Sequence, residues 1–78
     1  MKIRTELVGF LAGLGLPNGF MGGELEVPEG ARLKHVLALL DVSARTPLLV
    51  TVNGRRAEHS LVLHEGDIVR FVPHIGGG

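Results

Sequence analysis

The sequence has no cysteine among its 78 residues. A chain without cysteine forms no disulfide, offers no thiolate nucleophile and cannot build a zinc–thiolate site, and small secreted domains usually depend on such cross-links. The chain also has no apolar run long enough to cross a membrane and no signal-peptide pattern at its start. These absences predict a soluble, cytoplasmic protein with no membrane partner.

An excess of charge is absent as well, because eight Lys or Arg residues balance eight Asp or Glu residues and the formal net charge is zero. The basic residues are scattered along the chain, so nucleic acid has no electrostatic attraction to it and we expect no nucleic-acid partner. A chain of this length forms one small domain that buries only about 60% of its unfolded surface. Its 45% apolar content is ordinary for a globular domain.

Motifs for metal binding, phosphate binding or catalysis are missing. The glycine-rich Gly13–Gly15 is not followed by the lysine and hydroxyl residue of a phosphate-binding loop, and Pro17 opposes the helix of a dinucleotide site. Ser43 and Ser60 lie at predicted turns, where serine normally caps backbone groups. The histidines, which lack the close spacing of a zinc site, are His35, His59, His64 and His74. We expect no metal, no bound cofactor and no catalytic site within this chain.

Hydrophobic periodicity predicts five strands and one helix. The strands are expected at 2–8, 24–27, 48–52, 55–58 and 68–73, and the helix at 33–40. Asn53-Gly54 predicts a tight hairpin turn. The glycine-rich segment, residues 9–23, contains six of the twelve glycines, so we expect no regular element there. Its apolar side chains predict that it folds as a lid over one end of the core.

The resulting order, β-β-α-β-β-β, places one helix between two hairpins. The helix would cover one face of a mixed sheet of four to five strands, which is the α+β architecture called β-grasp or ubiquitin-like. We expect residues 1–75 to form this domain and the three glycines 76–78 to form a flexible C-terminal arm. Because glycine has no Cβ, such an arm fits a narrow channel that any side chain would block.

The last thirteen residues resemble the ending of the ubiquitin-like sulfur carriers. The resemblance is closest to the small subunit of molybdopterin synthase (the MoaD type), whose ending reads G-D-x-V-x-F-x-P-x-[V/I]-x-G-G. The family positions are occupied without gaps by Gly66, Asp67, Val69, Phe71, Pro73, Ile75, Gly77 and Gly78. Val52-Asn53 also resembles the end of a family strand, and Gly76 falls on a variable position of the motif.

The resemblance implies a carrier subunit and not an enzyme. A ubiquitin-activating-type partner (MoeB- or ThiF-like) would use ATP to adenylate the Gly78 carboxylate, and a sulfur donor system would convert it into a thiocarboxylate. Gly76 and Gly77 would thread the arm into the large subunit of molybdopterin synthase (MoaE-like). There the sulfur would form the dithiolene of molybdopterin. The absence of cysteine is consistent with this implied chemistry, because the sulfur would be carried on the main-chain terminus and not on a side chain.

Three alternatives to the molybdopterin synthase subunit stay open. A ThiS-like carrier would donate sulfur to thiazole synthesis for thiamine, although Phe71, Pro73 and the length favour the molybdopterin branch. A ubiquitin-like protein modifier would form isopeptide bonds through Gly78, and a purely structural β-grasp interaction module would not use the terminal carboxylate. The chain departs from the family pattern in the glycine-rich segment, which holds no arginine, and at His74, which is often a second proline.

The last strand also predicts a docking surface. Val69 and Phe71 are expected to point into the core, and strand alternation then points Ile68, Arg70 and Val72 outward. Exposed apolar side chains beside the arm form the kind of patch that marks an interaction site. The expected partner-docking residues are Leu49, Ile68, Arg70, Val72, Pro73, His74 and Ile75. The alternative is that the glycine-rich segment covers this face.

Overall fold

The fold was obtained as a computed structural model, which describes residues 1–16, 18–42 and 48–73. The elements are β1 (Lys2–Leu7), α1 (Leu11–Leu14), β2 (Gly23–Glu26), α2 (Leu33–Leu39), β3 (Leu48–Val52), β4 (Arg55–Arg56) and β5 (Ile68–Pro73). Within these three ranges no helix has the length and apolar character needed to cross a bilayer. Ser43 and residues 74–78, for which the sequence carried predictions, lie outside the described residues.

Five strands form one mixed sheet in the spatial order β2-β1-β5-β3-β4. β1 and β5 run parallel, and the other neighbouring strands are antiparallel. β5 therefore lies in the centre of the sheet with a hydrogen-bonded strand on each side. The mixed sheet, the two hairpins and the one main helix confirm the predicted β-grasp fold.

The helix α2 presents one apolar stripe to the core. Leu33, Val36 and Leu37 are buried in the same hydrophobic cluster as the inward side chains of β1 and β5. No Ser, Thr, Asp or Asn caps its start, and the Arg32 backbone N–H instead donates a hydrogen bond of 2.9 Å to Nδ1 of His35. This bond is half of a capping box, with an imidazole in the place of the usual carboxylate. The helix predicted over 33–40 is confirmed, one residue shorter.

The prediction that the glycine-rich segment has no regular element is wrong, because Leu11–Leu14 forms the one-turn helix α1. Gly9 and Gly15 lie just outside the helix and have φ values of +65° and +78°, which glycine adopts without the steric cost of a Cβ. Leu11 and Leu16 are buried in the main hydrophobic cluster. The segment therefore covers one end of the core, as the sequence predicted.

The Asn53-Gly54 turn joins β3 to β4, as predicted. Both residues have positive φ, 53° for Asn53 and 85° for Gly54. A type I′ hairpin turn requires this conformation at both central positions, and Asn followed by Gly is the pair that adopts it most readily. The return strand β4 covers only Arg55–Arg56 and not the predicted 55–58.

Candidate functional site

The central strand β5 carries the chain toward the C-terminal glycines. Val69 and Phe71 on this strand are fully buried, and the strand pairs with β1 on one side and β3 on the other. The predicted site residues His74 and Ile75 and the arm residues 76–78 lie outside the described residues, so their roles stay predictions. The part of the site that the structure describes is the end of β5 and the surfaces next to it.

The start of β5 is fixed by a hydrogen-bond network that includes Asn53 and Asp67, two of the residues that carry the sequence resemblance. Nδ2 of Asn53 donates to Oδ1 of Asp67 at 2.9 Å, and the backbone N–H of Ile68 donates to Oδ1 of Asn53 at 2.9 Å. The other carboxylate oxygen of Asp67 accepts from the backbone N–H of His64 at 2.8 Å. Gly66 precedes this network with a φ of +82°. These motif residues therefore shape and hold the strand.

The sheet face that points away from α2, here called the outer face, is apolar next to the end of β5. Val72 lies opposite Leu49 of β3. The backbone N–H of Val8 donates to the carbonyl oxygen of Phe71 at 3.0 Å, which continues the β1–β5 pairing by one residue and places Val8 on the other side of Val72. Val8, Val72 and Leu49 thus form an apolar row across three strands. The sequence prediction missed Val8.

The next row of the outer face is polar and consists of Glu6, Arg70 and Thr51. Arg70 donates two hydrogen bonds to one oxygen of Glu6, from Nε at 3.0 Å and from Nη2 at 2.7 Å. Nε of Arg4 lies 3.8 Å from the other oxygen of Glu6. Oγ1 of Thr51 is buried and has no hydrogen-bond partner within the described ranges. The two hydrogen bonds to Glu6 of the neighbouring strand therefore fix the orientation of the Arg70 guanidinium.

The structure brings together four of the predicted docking residues on the outer face, all of them half-buried: Leu49, Ile68, Arg70 and Val72. Their common orientation agrees with the predicted strand alternation. Arg70 stands between Ile68 and Val72, however, so Ile68 lies about 7 Å from Arg70 and about twice that from Val72 along the strand. The apolar side chains next to Val72 are therefore those of the neighbouring strands, Val8 and Leu49.

Pro73 lies on the other face of the sheet. It is paired with Leu48 of β3, and strand alternation places it on the face of Val69 and Phe71. Its ring lies close to Gly9, where a Cβ would come within 3.4 Å of Cγ of Pro73. Pro73 therefore lies next to the residues that follow β1, and it adds no surface to the outer face.

The glycine-rich segment directs its buried side chains to the core. Leu11 and Leu16 belong to the cluster that contains the buried residues of α2, and α1 packs against β1 and β5. This placement disfavours the alternative in which the segment covers the outer face.

The described residues were also searched for cavities and metal-binding clusters away from the end of β5. A cavity of about 500 Å³ beside β4 is lined by residues that include Arg55, His64 and Asp67. Asp67 directly precedes β5, so this cavity is separated from the C-terminal end of that six-residue strand by about 20 Å. Within the described ranges no group of His, Asp or Glu residues is arranged to hold a metal ion.

Comparison with known proteins gives a family and a fold. Residues 18–78 match the model of the ThiS family, whereas no curated protein matches the chain. SAMP1 from Haloferax volcanii has a TM-score of 0.78 and 20% identity, with 100% of both chains covered. A candidate molybdopterin converting factor, subunit 1, from Pyrococcus furiosus has a TM-score of 0.75 and 22% identity, covering 96% of this chain and 99% of the other. Urm1 from Trypanosoma brucei has a TM-score of 0.68 and 26% identity, covering 99% and 95%.

Proposed function

This chain belongs to the ThiS family of small ubiquitin-like sulfur carriers and modifiers, and we propose that it is the sulfur-carrying small subunit of molybdopterin synthase. Proteins of this family are carriers and not catalysts, and they work with an activating partner of the ubiquitin-activating type. The observation that carries the sulfur-carrier part of the proposal is that the family match runs through Gly78. The glycines follow the central strand of the sheet in sequence.

The reactive atom in the proposed cycle is the carboxyl carbon of Gly78. A carboxylate is a poor electrophile, so the activating partner joins one of its oxygens to the α-phosphorus of ATP and releases pyrophosphate. Hydrosulfide (HS⁻) supplied by the donor system attacks the acyl carbon, displaces AMP and loses its proton, which leaves a thiocarboxylate. Gly76 and Gly77 have no side chains, so the channel of a partner can close around them.

In the proposed function the fold positions the C-terminal arm, and the partner proteins supply the catalytic residues. β5 is anchored at its start by Asn53 and Asp67 and near its end by the hydrogen bond from the backbone N–H of Val8 to the carbonyl oxygen of Phe71. An anchored strand end restricts the directions in which the chain continues, which lowers the entropic cost of inserting the arm into a partner. The partner's residues then supply the positioning and charge stabilisation that the reaction needs.

The outer face next to Val72 is the proposed docking surface. The apolar row of Val8, Val72 and Leu49 supplies apolar surface whose burial would stabilise a complex. Arg70 supplies an oriented cation, and arginine is enriched at interfaces. Ile68 extends the surface beyond Arg70. His74 and Ile75 follow Pro73 in the sequence and are proposed to contact the same partners.

The molybdopterin branch is favoured over the thiamine branch by Phe71 and Pro73. Both residues occupy the phenylalanine and proline positions of the MoaD-type ending that the sequence resembles. Phe71 is fully buried in the core, and Pro73 lies on the same face of the sheet. A carrier for thiazole synthesis is the alternative, and it would use the same chemistry at Gly78.

The experiment that tests the proposal is the intact mass of the protein after incubation with ATP, sulfide and the activating enzyme from the source organism. Replacement of one carboxylate oxygen by sulfur adds about 16 Da, and we expect this shift for the native chain. A chain extended by one alanine after Gly78 serves as the control and should not shift. An unshifted native chain contradicts the carrier function.

The branch is assigned in a second step with the thiocarboxylated protein. We expect the purified large subunit of molybdopterin synthase to consume the thiocarboxylate and return the original mass in the presence of its pterin precursor. Consumption by a thiazole synthase in place of the molybdopterin enzyme would assign the chain to the thiamine branch. Lysine-linked conjugates that depend on Gly77 and Gly78 would indicate a modifier.

A further inference from the structure

Both asparagines of the chain are followed by glycine, at Asn18-Gly19 and at Asn53-Gly54. Asparagine is a thermolabile residue, and a following glycine has no side chain to hinder attack on its amide. In this reaction the backbone nitrogen of the glycine attacks Cγ of the asparagine, and the amide leaves as ammonia with the N–H proton. The succinimide that forms is then opened by one water molecule to aspartate or isoaspartate, so the reaction needs no oxidant.

At Asn53 both atoms of the side-chain amide are held by the start of the central strand. Nδ2 donates to Oδ1 of Asp67, and Oδ1 accepts from the backbone N–H of Ile68, each at 2.9 Å. The backbone N–H of Asn53 donates to the carbonyl oxygen of Ile68 at 2.8 Å. We refer to these three hydrogen bonds as the Asn53 network. A rotation that brings Cγ onto the nitrogen of Gly54 turns the amide away from β5 and breaks both side-chain hydrogen bonds.

The partners of Asn53 are themselves fixed by the fold. The second carboxylate oxygen of Asp67 accepts from the backbone N–H of His64 at 2.8 Å. The carbonyl oxygen of Asp67 accepts from the backbone N–H of Arg4 at 2.9 Å, and Ile68 begins β5 and is paired with Arg4 of β1. Release of the Asn53 side chain therefore requires the start of the central strand to open, and core strands open least often.

Asn18 is exposed and lies in the loop between α1 and β2. Its Oδ1 accepts from the backbone N–H of Phe20 at 2.9 Å, and the N–H of Gly19 donates to the carbonyl oxygen of Leu16 at 2.8 Å. Both hydrogen bonds join residues at most three positions apart. They break when this loop alone rearranges and the sheet stays intact, and such local openings have low free energies.

We propose that Asn18 is the residue at which the folded chain deamidates, and that the Asn53 network shields the second Asn-Gly pair from the same reaction. The product at position 18 adds a negative charge that faces solvent. The product at position 53 would place a carboxylate oxygen where Nδ2 now lies 2.9 Å from Oδ1 of Asp67, and two like charges at that distance repel. The shielding therefore preserves the hydrogen bonds that anchor the start of β5.

The test follows both sites in one sample of the native chain. Trypsin cuts after Lys and Arg, which places Asn18 in the peptide 5–32 and Asn53 in the peptide 46–55. Deamidation raises the mass of a peptide by about 1 Da. In mildly alkaline buffer we expect Asn18 to react at least about tenfold faster than Asn53. In urea, where no fold shields either site, the two rates should lie within about threefold of each other.

Asp67→Ala removes the acceptor of Nδ2 and tests the shielding directly. We expect the rate at Asn53 to rise about tenfold and the rate at Asn18 to stay within about twofold of its native value, because the hydrogen bonds of that loop are unchanged. Glu65→Ala is the matched control. It removes a carboxylate of the same turn that accepts from the backbone N–H of Lys2 at 2.9 Å, and it should leave both rates within about twofold.

Three results would overturn the proposal. Equal rates at the two sites of the native chain would show that the Asn53 network gives no shielding. A native rate at Asn53 in folded Asp67→Ala would show that Asp67 is not part of the shield. If neither peptide of the folded chain gains mass while the urea sample reacts, Asn18 is not modified in the folded chain. Global unfolding of Asp67→Ala would instead raise both rates alike, and the comparison within the native chain then decides the proposal.

Discussion

Gly9 lies next to Pro73 at the point where the central strand of the sheet ends. Gly9 has a φ of +65°, and a Cβ at this position would lie 3.4 Å from Cγ of Pro73. The preceding residue, Val8, donates its backbone N–H to the carbonyl oxygen of Phe71 at 3.0 Å. This hydrogen bond holds the end of β5 from the β1 side, beside the Pro73 ring.

The first prediction concerns the backbone conformation of Gly9. Gly9→Ala should lower the free energy of unfolding by about 1–2 kcal/mol, because an L-residue with a Cβ is strained at positive φ. Gly13→Ala is the control, since Gly13 lies within α1 and a Cβ added there would meet no atom of another element within 4 Å. It should leave the stability unchanged or raise it slightly. Urea unfolding measures both, and equal losses would contradict the requirement for glycine at the positive φ of position 9.

The second prediction is that Asn53 and Asp67 are energetically coupled. Asp67→Ala and Asn53→Gly each remove one side of a 2.9 Å hydrogen bond, and glycine keeps the positive φ of position 53 accessible. A double-mutant cycle in urea should give a coupling energy of about 0.5–2 kcal/mol. Variants that remain folded should still gain the sulfur mass, because the pair holds the strand and does not take part in the chemistry. Strictly additive losses would show that the hydrogen bond contributes little.

Local patterns predicted most of the fold. β3 and β5 have the predicted bounds, and the stripe of Leu33, Val36 and Leu37 placed α2 correctly, because these elements follow simple periods of two and of 3.6 residues. The helix α1 was missed because glycines that flank a short helix look the same in sequence as glycines that break one. What distinguishes them is the burial of Leu11 and Leu16, which is a tertiary contact.

The third prediction concerns two threonines in different surroundings. Oγ1 of Thr51 is buried without a hydrogen-bond partner in the described part of the chain, whereas Oγ1 of Thr5 donates to the carbonyl oxygen of Gly23 at 2.8 Å. Thr51→Val should therefore raise the free energy of unfolding by about 1 kcal/mol, and Thr5→Val should lower it by about 1–2 kcal/mol. Thermal or urea unfolding measures both. A loss of stability in Thr51→Val would show that its hydroxyl is hydrogen-bonded in solution.

The candidate site was predictable along β5 and at Leu49 of the neighbouring strand β3, but not on the β1 side. Alternation along β5 placed Arg70 and Val72 on the outer face, because the direction of a strand side chain follows from its position alone. The apolar neighbour of Val72 on the β1 side, Val8, could not be identified in this way. The parallel pairing of β1 with β5 joins residues more than sixty positions apart, and its register depends on the whole sheet.

The last prediction separates the two roles of Arg70 on the outer face. The side chains of Arg70 and Glu6 are 42% and 36% exposed, so their ion pair should contribute less than about 1 kcal/mol to stability, and Arg70→Gln and Glu6→Gln should both fold normally. Arg70→Gln should nevertheless raise the KM of the activating enzyme about fivefold, because an oriented cation is lost from the docking surface.

Glu6→Gln should raise the same KM by a smaller factor, because it only loosens the orientation of Arg70. In the double variant the KM should equal that of Arg70→Gln alone, since Glu6 then has no guanidinium left to orient. A further increase in the double variant would mean that Glu6 contacts the partner directly. A native KM in Arg70→Gln would remove Arg70 from the docking surface and leave the apolar row as its basis.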